Sequence, residues 1–170
     1  MKILVFSDSH GNPKNIADNI RVHKNAGGVD HIFFLGDGVR DFLSAMEEFP
    51  EIPSNYVFGN CDFGLTAPLE MKGKIYECVA EVGGKRFLIM HGHRLDVKTT
   101  YQRAADYGIT LGADVLLFGH THQSEDVTID GSDNGHIRMI NPGSCGKGLC
   151  PTYACIEIVR GQIVCGFGRA

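Results

Sequence analysis

The stretch Lys2-Ile3-Leu4-Val5-Phe6-Ser7-Asp8-Ser9-His10-Gly11-Asn12 decides the reading of this chain. A short apolar run that breaks at once into Asp, Ser, His, Gly and Asn has the form of a buried strand delivering polar side chains at its C-terminal end. Open α/β sheets place their chemistry at that end. Asp8 and His10 supply a carboxylate oxygen and an imidazole nitrogen two residues apart, and the later polar clusters are read against them.

The same form recurs down the chain. The apolar run 31–35 ends in Gly36-Asp37-Gly38, the run 55–58 in Gly59-Asn60-Cys61-Asp62, the run 85–90 in His91-Gly92-His93, and the run 114–118 in Gly119-His120-Thr121-His122. Between them, Pro13 with Ile16, Ile20 and Val22 predicts a helix ending near Gly27-Gly28, and 39–49 predicts a second helix closed by Pro50. The runs 74–81 and 85–90 flank Gly83-Gly84, a hairpin signal. A third helix is expected over 99–111, with Tyr101, Ala104, Ala105 and Leu111 on its apolar face. Beyond Gln123 the pattern is nearly all strand (126–129, 137–140, 153–159 and 163–167), interrupted by the Asn141-Pro142-Gly143-Ser144 loop. No linker or repeat divides the chain, so the expectation is one domain over 1–170. Alternating helices and strands followed by hairpins predict an α/β fold with two packed mixed sheets flanked by helices, because one sheet can hardly absorb all these strands.

Composition narrows the function. A formal charge of −4, from 16 basic and 20 acidic residues, argues against an extended nucleic-acid surface, which needs a positive track. No signal-peptide core and no apolar stretch of membrane-spanning length is present, so no membrane association is expected and the cytoplasm is the expected compartment. Six cysteines without a secretory signal are read as reduced thiols.

Asp8, His10, Asp37, Asn60, His91, His120 and His122 all follow apolar runs and would converge on one sheet edge. Seven oxygen and nitrogen donors exceed what one tetrahedral ion takes. They suit two divalent ions sharing a carboxylate, roughly 3.5 to 4 Å apart. Two ions bring four positive charges and Asp8 and Asp37 return two, so the surplus attracts phosphate and acidifies a bridging water. Mixed imidazole and carboxylate donors fit Mn, Ni, Fe, Zn, Co or Mg, with manganese the first expectation. His23, His31 and His136 lack this context and are read as structural.

Asp8-x-His10, Gly36-Asp37, Gly59-Asn60, His91 and Gly119-His120-x-His122 together resemble the signature of the calcineurin-like metallophosphoesterases. Length and motif order are similar to the small YfcE-like bacterial and archaeal phosphodiesterases, over residues 1 to about 146 and including the Asn141-Pro142-Gly143-Ser144 loop. The resemblance implies a four-layer α/β/β/α sandwich. It also implies that Asp8, His10, Asp37 and His122 hold one metal and that Asp37, Asn60, His91 and His120 hold the other, Asp37 bridging. The implied reaction is hydrolysis of a small phosphodiester by a metal-bridging hydroxide, with Asp37 and Asn60 at its centre.

Most of the wider family has a His after this Asn, whereas Cys61 stands here, as in the YfcE-like branch. A thiol is a poorer proton donor at neutral pH than a tuned imidazolium, and general acid help is worth about 10²–10⁴-fold. Substrates with good leaving groups, and diesters over alkyl monoesters, are therefore expected. Cys61 and His93 are candidates for substrate contact, and Asn12 for orienting Asp8 or His10. The competing expectation is a catalytically weak protein-binding scaffold, since the metallophosphoesterase-like subunit of retromer also resembles this family. Exposed strands near the C-terminus would permit a homodimer.

Overall fold

The computed structural model describes residues 1–62 and 75–170. Two five-stranded mixed sheets stack face to face, with helices on both outer faces. In chain order the elements are β1 (Lys2–Phe6), α1 (Pro13–Asn25), β2 (His31–Phe34), α2 (Val39–Met46), β3 (Ser54–Tyr56), β4 (Glu77–Val82), β5 (Lys85–Met90), a 3₁₀ turn His93–Leu95, α3 (Gln102–Thr110), β6 (Val115–Leu117), β7 (Ser124–Asp130), β8 (His136–Pro142), β9 (Thr152–Val159) and β10 (Gln162–Arg169). One sheet has the order β10-β9-β1-β2-β3 and the other β4-β5-β6-β8-β7.

Period-2 alternation sorts the strand side chains into layers. Ile3, Val5 and Phe33 of the first sheet meet Phe87, Ile89, Val115, Leu117 and Ile140 of the second, and Phe33 and Phe87 place their ring centroids 5.3 Å apart. The alternate residues Leu4, Phe6, Ile32 and Phe34 face outward onto Ile16, Ala17 and Ile20 of α1 and Val39, Phe42 and Ala45 of α2. Leu88, Met90, Leu116 and Phe118 likewise face Ala104 and Ala105 of α3. The result is the expected α/β/β/α order of layers. Strands buried on both faces, as β1 and β2 are, need continuous apolar runs, and the sequence supplies them.

Several boundaries differ from the sequence expectation. Val22 is 62% exposed, because it lies two residues, about 200°, around the helix from Ile20; Ala17 completes the buried stripe instead. Helix α2 ends at Met46 rather than at residue 49, since Glu48 N and Phe49 N donate to Ala45 O and Met46 O, tightening the chain into i→i−3 turns. Phe49 stays buried within that turn. The third strand pairs as Ser54–Tyr56 instead of 55–58, because β2, its partner, ends at Phe34. Tyr101 and Leu111 flank α3 rather than lying inside it. The start of the expected strand 74–81 falls partly outside the described residues. Among the described residues no helix is long and apolar enough to cross a membrane.

Candidate metal centre

Parallel pairing of β1 with β2, β2 with β3, β5 with β6, and β6 with β8 points the C-terminal ends of these strands to one side of the sandwich. The loops leaving them carry Asp8 and His10, Asp37, Asn60, His91, and His120 with His122. Backbone bonds lace the loops together. Asp8 N donates to Gly36 O (2.9 Å), His10 N to Asp37 O (3.3 Å) and Gly119 N to His91 O (3.1 Å).

Their backbone is bent to aim the side chains. Asp8, His10, Asp37, His120 and His122 all have φ between 45° and 69°. Non-glycine residues seldom occupy this region, at a cost of about 1–3 kcal/mol each, and such strain persists where the surroundings enforce it. Glycine next to these positions permits close approach: a Cβ on Gly59 would lie 2.1 Å from Asp37 Oδ1, and one on Gly119 would lie 2.0 Å from Ser7 Oγ.

The side chains bring imidazole Nε2 atoms and carboxylate oxygens together. His122 Nε2 lies 3.1 Å, His10 Nε2 3.7 Å and His91 Nε2 4.0 Å from Asp8 Oδ1, and the His10 and His122 Nε2 atoms are 3.3 Å apart. Asp8 Oδ1 is buried and receives no well-formed hydrogen bond. His91 Nδ1 donates to Leu35 O at 2.8 Å, which fixes the neutral ring's lone pair on Nε2. That nitrogen faces Asn60 Oδ1 (3.1 Å) and Asp37 Oδ2 (3.4 Å). Lone pairs converging in this way repel unless a positive charge lies between them, so the donor set fits divalent cations. Donor atoms of Asp8, His10 and His122, and those of Asp37, His91 and His120, form two groups, each within 4.8 Å. Asp37 also joins a third such group with His10 and Cys61, so its carboxylate lies between the two.

Without metal, protons take over part of that role. Burial works to raise the Asp8 pKa, but the imidazoles of His10, His122 and His91 together with Ser7 hold it well below the usual carboxylate range. Asp37 behaves alike, burial opposed by His91 and by the Cys61 backbone, and falls to about 2. His91, despite burial, is raised by Asp37 and Asp8. Burial and the charges of His91 and Lys98 lower His120 to about 4, leaving its ring neutral at pH 7.

The two substrate-contact candidates also lie here. Cys61 is exposed, and its thiol is pushed up to about 11 by the hydrogen bond to Asp37 and by burial of its sulfur. The His93 ring stands 5.4 Å from that of His91 and 6.1 Å from that of His120, and its buried Nδ1 has no hydrogen-bond partner among the described residues. Asn12 does not orient Asp8 or His10. Its Oδ1 accepts from Asn15 N at 3.4 Å and caps α1, the task its place before Pro13 dictates. His23 and His31 have structural partners, Tyr153 Oη at 2.7 Å and Asn55 Oδ1 at 2.9 Å.

Three residues that support the site escaped the sequence reading. The carboxylate of Asp62 accepts from the backbone N–H of Asp37 (2.9 Å), Gly38 (2.9 Å), Val39 (3.0 Å) and Gly59 (2.8 Å), clamping the Asp37 and Asn60 loops and the start of α2. Asn141 Nδ2 donates to Gly119 O and Thr121 Oγ1, holding the His120–His122 loop. Ser144 Oγ donates to Asp8 O at 2.7 Å. The available signal was Asp or Asn in a turn, where such side chains bond backbone a few residues away.

The chain is 30% identical over 169 residues to a probable metallophosphoesterase of Mycoplasma pneumoniae, covering 95% of this chain and 92% of that protein. Among solved structures, a predicted phosphoesterase from Streptococcus pneumoniae TIGR4 superposes with a TM-score of 0.75 at 27% identity, over 98% of this chain and 87% of the other. An archaeal phosphodiesterase gives 0.66 at 25% identity, over 98% and 99%. Vps29 from Entamoeba histolytica, crystallised with zinc, gives 0.68 at 21% identity over 99% of each chain, a likeness of fold alone. The calcineurin-like phosphoesterase superfamily model matches residues 1–161, and together with the motif-bearing strand ends and the cation-ready donor set this places the chain in that superfamily.

Proposed function

We propose that the protein is a two-metal phosphodiesterase acting on small phosphodiesters with good leaving groups. The observation that carries the reading is the buried Asp8 Oδ1, without a hydrogen bond and faced by the ring nitrogens of His10, His91 and His122. Asp8, His10, Asp37 and His122 would hold one divalent ion and Asp37, Asn60, His91 and His120 the other, with manganese the first choice. Ions so held lower the pKa of water and neutralise charge on phosphate oxygens.

The chain's own groups have separable tasks. Asp37 spans the two donor groups, and Leu35 O fixes the His91 tautomer through Nδ1. His93, half-buried with its ring beside those of His91 and His120, is placed to meet a substrate oxygen. Cys61 lies at the opening with a thiol raised to about 11, a weak proton donor at neutral pH. A leaving group that departs without a proton suits it, which favours aryl-like diesters over alkyl monoesters. The archaeal phosphodiesterase of the same fold supports the diester reading. Six unpaired cysteines support a reducing, cytoplasmic setting.

Since a Vps29 of this fold has been crystallised with zinc, metal binding alone does not separate hydrolysis from a scaffold role. Turnover does. Cys61→His is expected to raise kcat/KM on alkyl monoesters by about 10²-fold while changing aryl diester hydrolysis little. A variant that gains nothing on poor leaving groups removes the role given to Cys61.

A further inference from the structure

Most basic side chains among the described residues are committed. Lys14, Arg21, Lys24, Arg86, Arg103 and Arg138 pair with carboxylates, and Arg94 lies over the Tyr76 ring. Arg40, Lys85, Lys98, Lys147, Arg160 and Arg169 are not, and of these only Arg40 and Lys147 line the cleft beside the metal centre. Among the described residues neither of these two cationic groups has an ion pair, and their cleft of about 440 Å³ also exposes His10, Asp37 and Cys61.

Their placement is fixed by the same bonds that build the metal centre. Lys147 N donates to Ser144 Oγ at 2.9 Å, and that hydroxyl donates to Asp8 O. Gly146 presses so closely on the β1 loop that a Cβ there would lie 1.7 Å from Ser9 O. Arg40 follows Gly38 and Val39, whose N–H groups are held by Asp62, the residue that also clamps Asp37. One cation is thus carried beside Asp8 and His10, the other beside Asp37. Three carboxylates line the cleft: Asp37 belongs to the donor set described above, Asp41 Oδ2 accepts from Ser9 Oγ (2.7 Å) and Gly11 N (2.6 Å), and Asp62 accepts from four backbone N–H groups. The Asp41 and Asp62 oxygens are thus taken up by donors of the protein itself, whereas the Arg40 guanidinium and the Lys147 ammonium have no ion pair among the described residues.

We propose that Arg40 and Lys147 form a subsite for a second anionic group, so that the preferred substrate is a phosphodiester that also bears a phosphate monoester next to the scissile bond. This rests on the phosphodiesterase reading above. A plain diester would leave the guanidinium and ammonium groups unpaired, whereas a neighbouring phosphate supplies charge-assisted hydrogen bonds to both. A long polynucleotide is disfavoured by the net charge of −4.

The test compares thymidine 5′-(p-nitrophenyl phosphate) with its 3′-phosphorylated form on manganese-loaded protein. The 3′-phosphorylated ester is expected to show a KM about tenfold lower. Arg40→Ala and Lys147→Ala, both at exposed positions, should each reduce the kcat/KM ratio of the two esters, and the double variant should bring it to about one. Lys85→Ala, on the β4–β5 hairpin, should leave the ratio unchanged. Independently of turnover, calorimetric titration with methylenediphosphonate should show binding weakened about tenfold in the double variant. Turnover of both esters with a ratio unmoved by the double variant overturns the subsite and leaves diester hydrolysis standing. Absence of turnover of either ester overturns the phosphodiesterase reading instead; the titration then decides the subsite alone, and unweakened binding overturns it.

Discussion

Removing the Asp62 carboxylate should unlatch the site and the fold together. Its two oxygens accept four backbone N–H groups at 2.8–3.0 Å, all at strand ends or at the start of α2, and its side chain is buried. A hydrogen bond to a charged group contributes about 1.5–3 kcal/mol, but the four share one carboxylate and do not add. Single-site losses rarely exceed about 4–5 kcal/mol, so Asp62→Ala is expected to cost about 4 kcal/mol. Asp62→Asn keeps one accepting oxygen and turns an NH₂ toward the remaining donors, for about 2 kcal/mol. Urea unfolding reads both values. The Asn variant, still folded, reads the functional part: with half of the anchors on the Asp37–Val39 turn and Gly59 lost, divalent-ion affinity should fall about 10–100-fold. An Ala variant losing less than about 1 kcal/mol, or an Asn variant binding metal like the wild type, would refute the clamp.

Other outcomes follow from the same geometry. In Gly59→Ala the new methyl would lie 2.1 Å from Asp37 Oδ1, so metal affinity should drop about tenfold or more, read by calorimetry; unchanged affinity would mean that the Asp37 side chain can move aside freely. Burial lowers the pKa of His31, with Asn55 opposing, so the folded chain takes up this proton less readily than the unfolded chain does. Stability from this group is therefore present above about pH 6.5 and is lost as pH falls below it toward the depressed folded value. Urea midpoints of metal-free protein at pH 7.5 and 5.5 should differ less in His31→Gln than in the wild type, and equal slopes would contradict the assignment.

Much of this architecture is legible in the sequence because its signals are local. An apolar run ending in Asp, Asn or His marks a buried strand and its functional end at once, and five such runs named the seven donors that the structure brings together. The two packed sheets followed from helices alternating with strands and then hairpins, and the α/β/β/α order from the family resemblance. What escaped depends on partners distant in sequence. The end of β3 is set by the length of β2, and the role of Asp62 depends on donors 23 to 25 residues away as well as on nearby Gly59. Asn12 was misassigned for the opposite reason: a local cap was available three residues on, and it took precedence over the loop. The left-handed backbone at Asp8, His10, Asp37, His120 and His122 is also invisible in composition, because strain of this kind is imposed by the surrounding fold.

The most direct measurement is metal-stripped protein reloaded with Mn²⁺, Ni²⁺, Zn²⁺ or Mg²⁺, assayed for bound ions per chain and for hydrolysis of bis(p-nitrophenyl) phosphate, beside Asp37→Asn. Two ions per chain, and turnover that depends on them, are expected. In Asp37→Asn one ion or both should be lost, and kcat/KM should fall roughly 10²–10³-fold. Turnover that survives metal removal, or Asp37→Asn protein that binds and hydrolyses like the wild type, would contradict the two-metal reading. Two bound ions with no turnover would leave the scaffold role as the function of this fold.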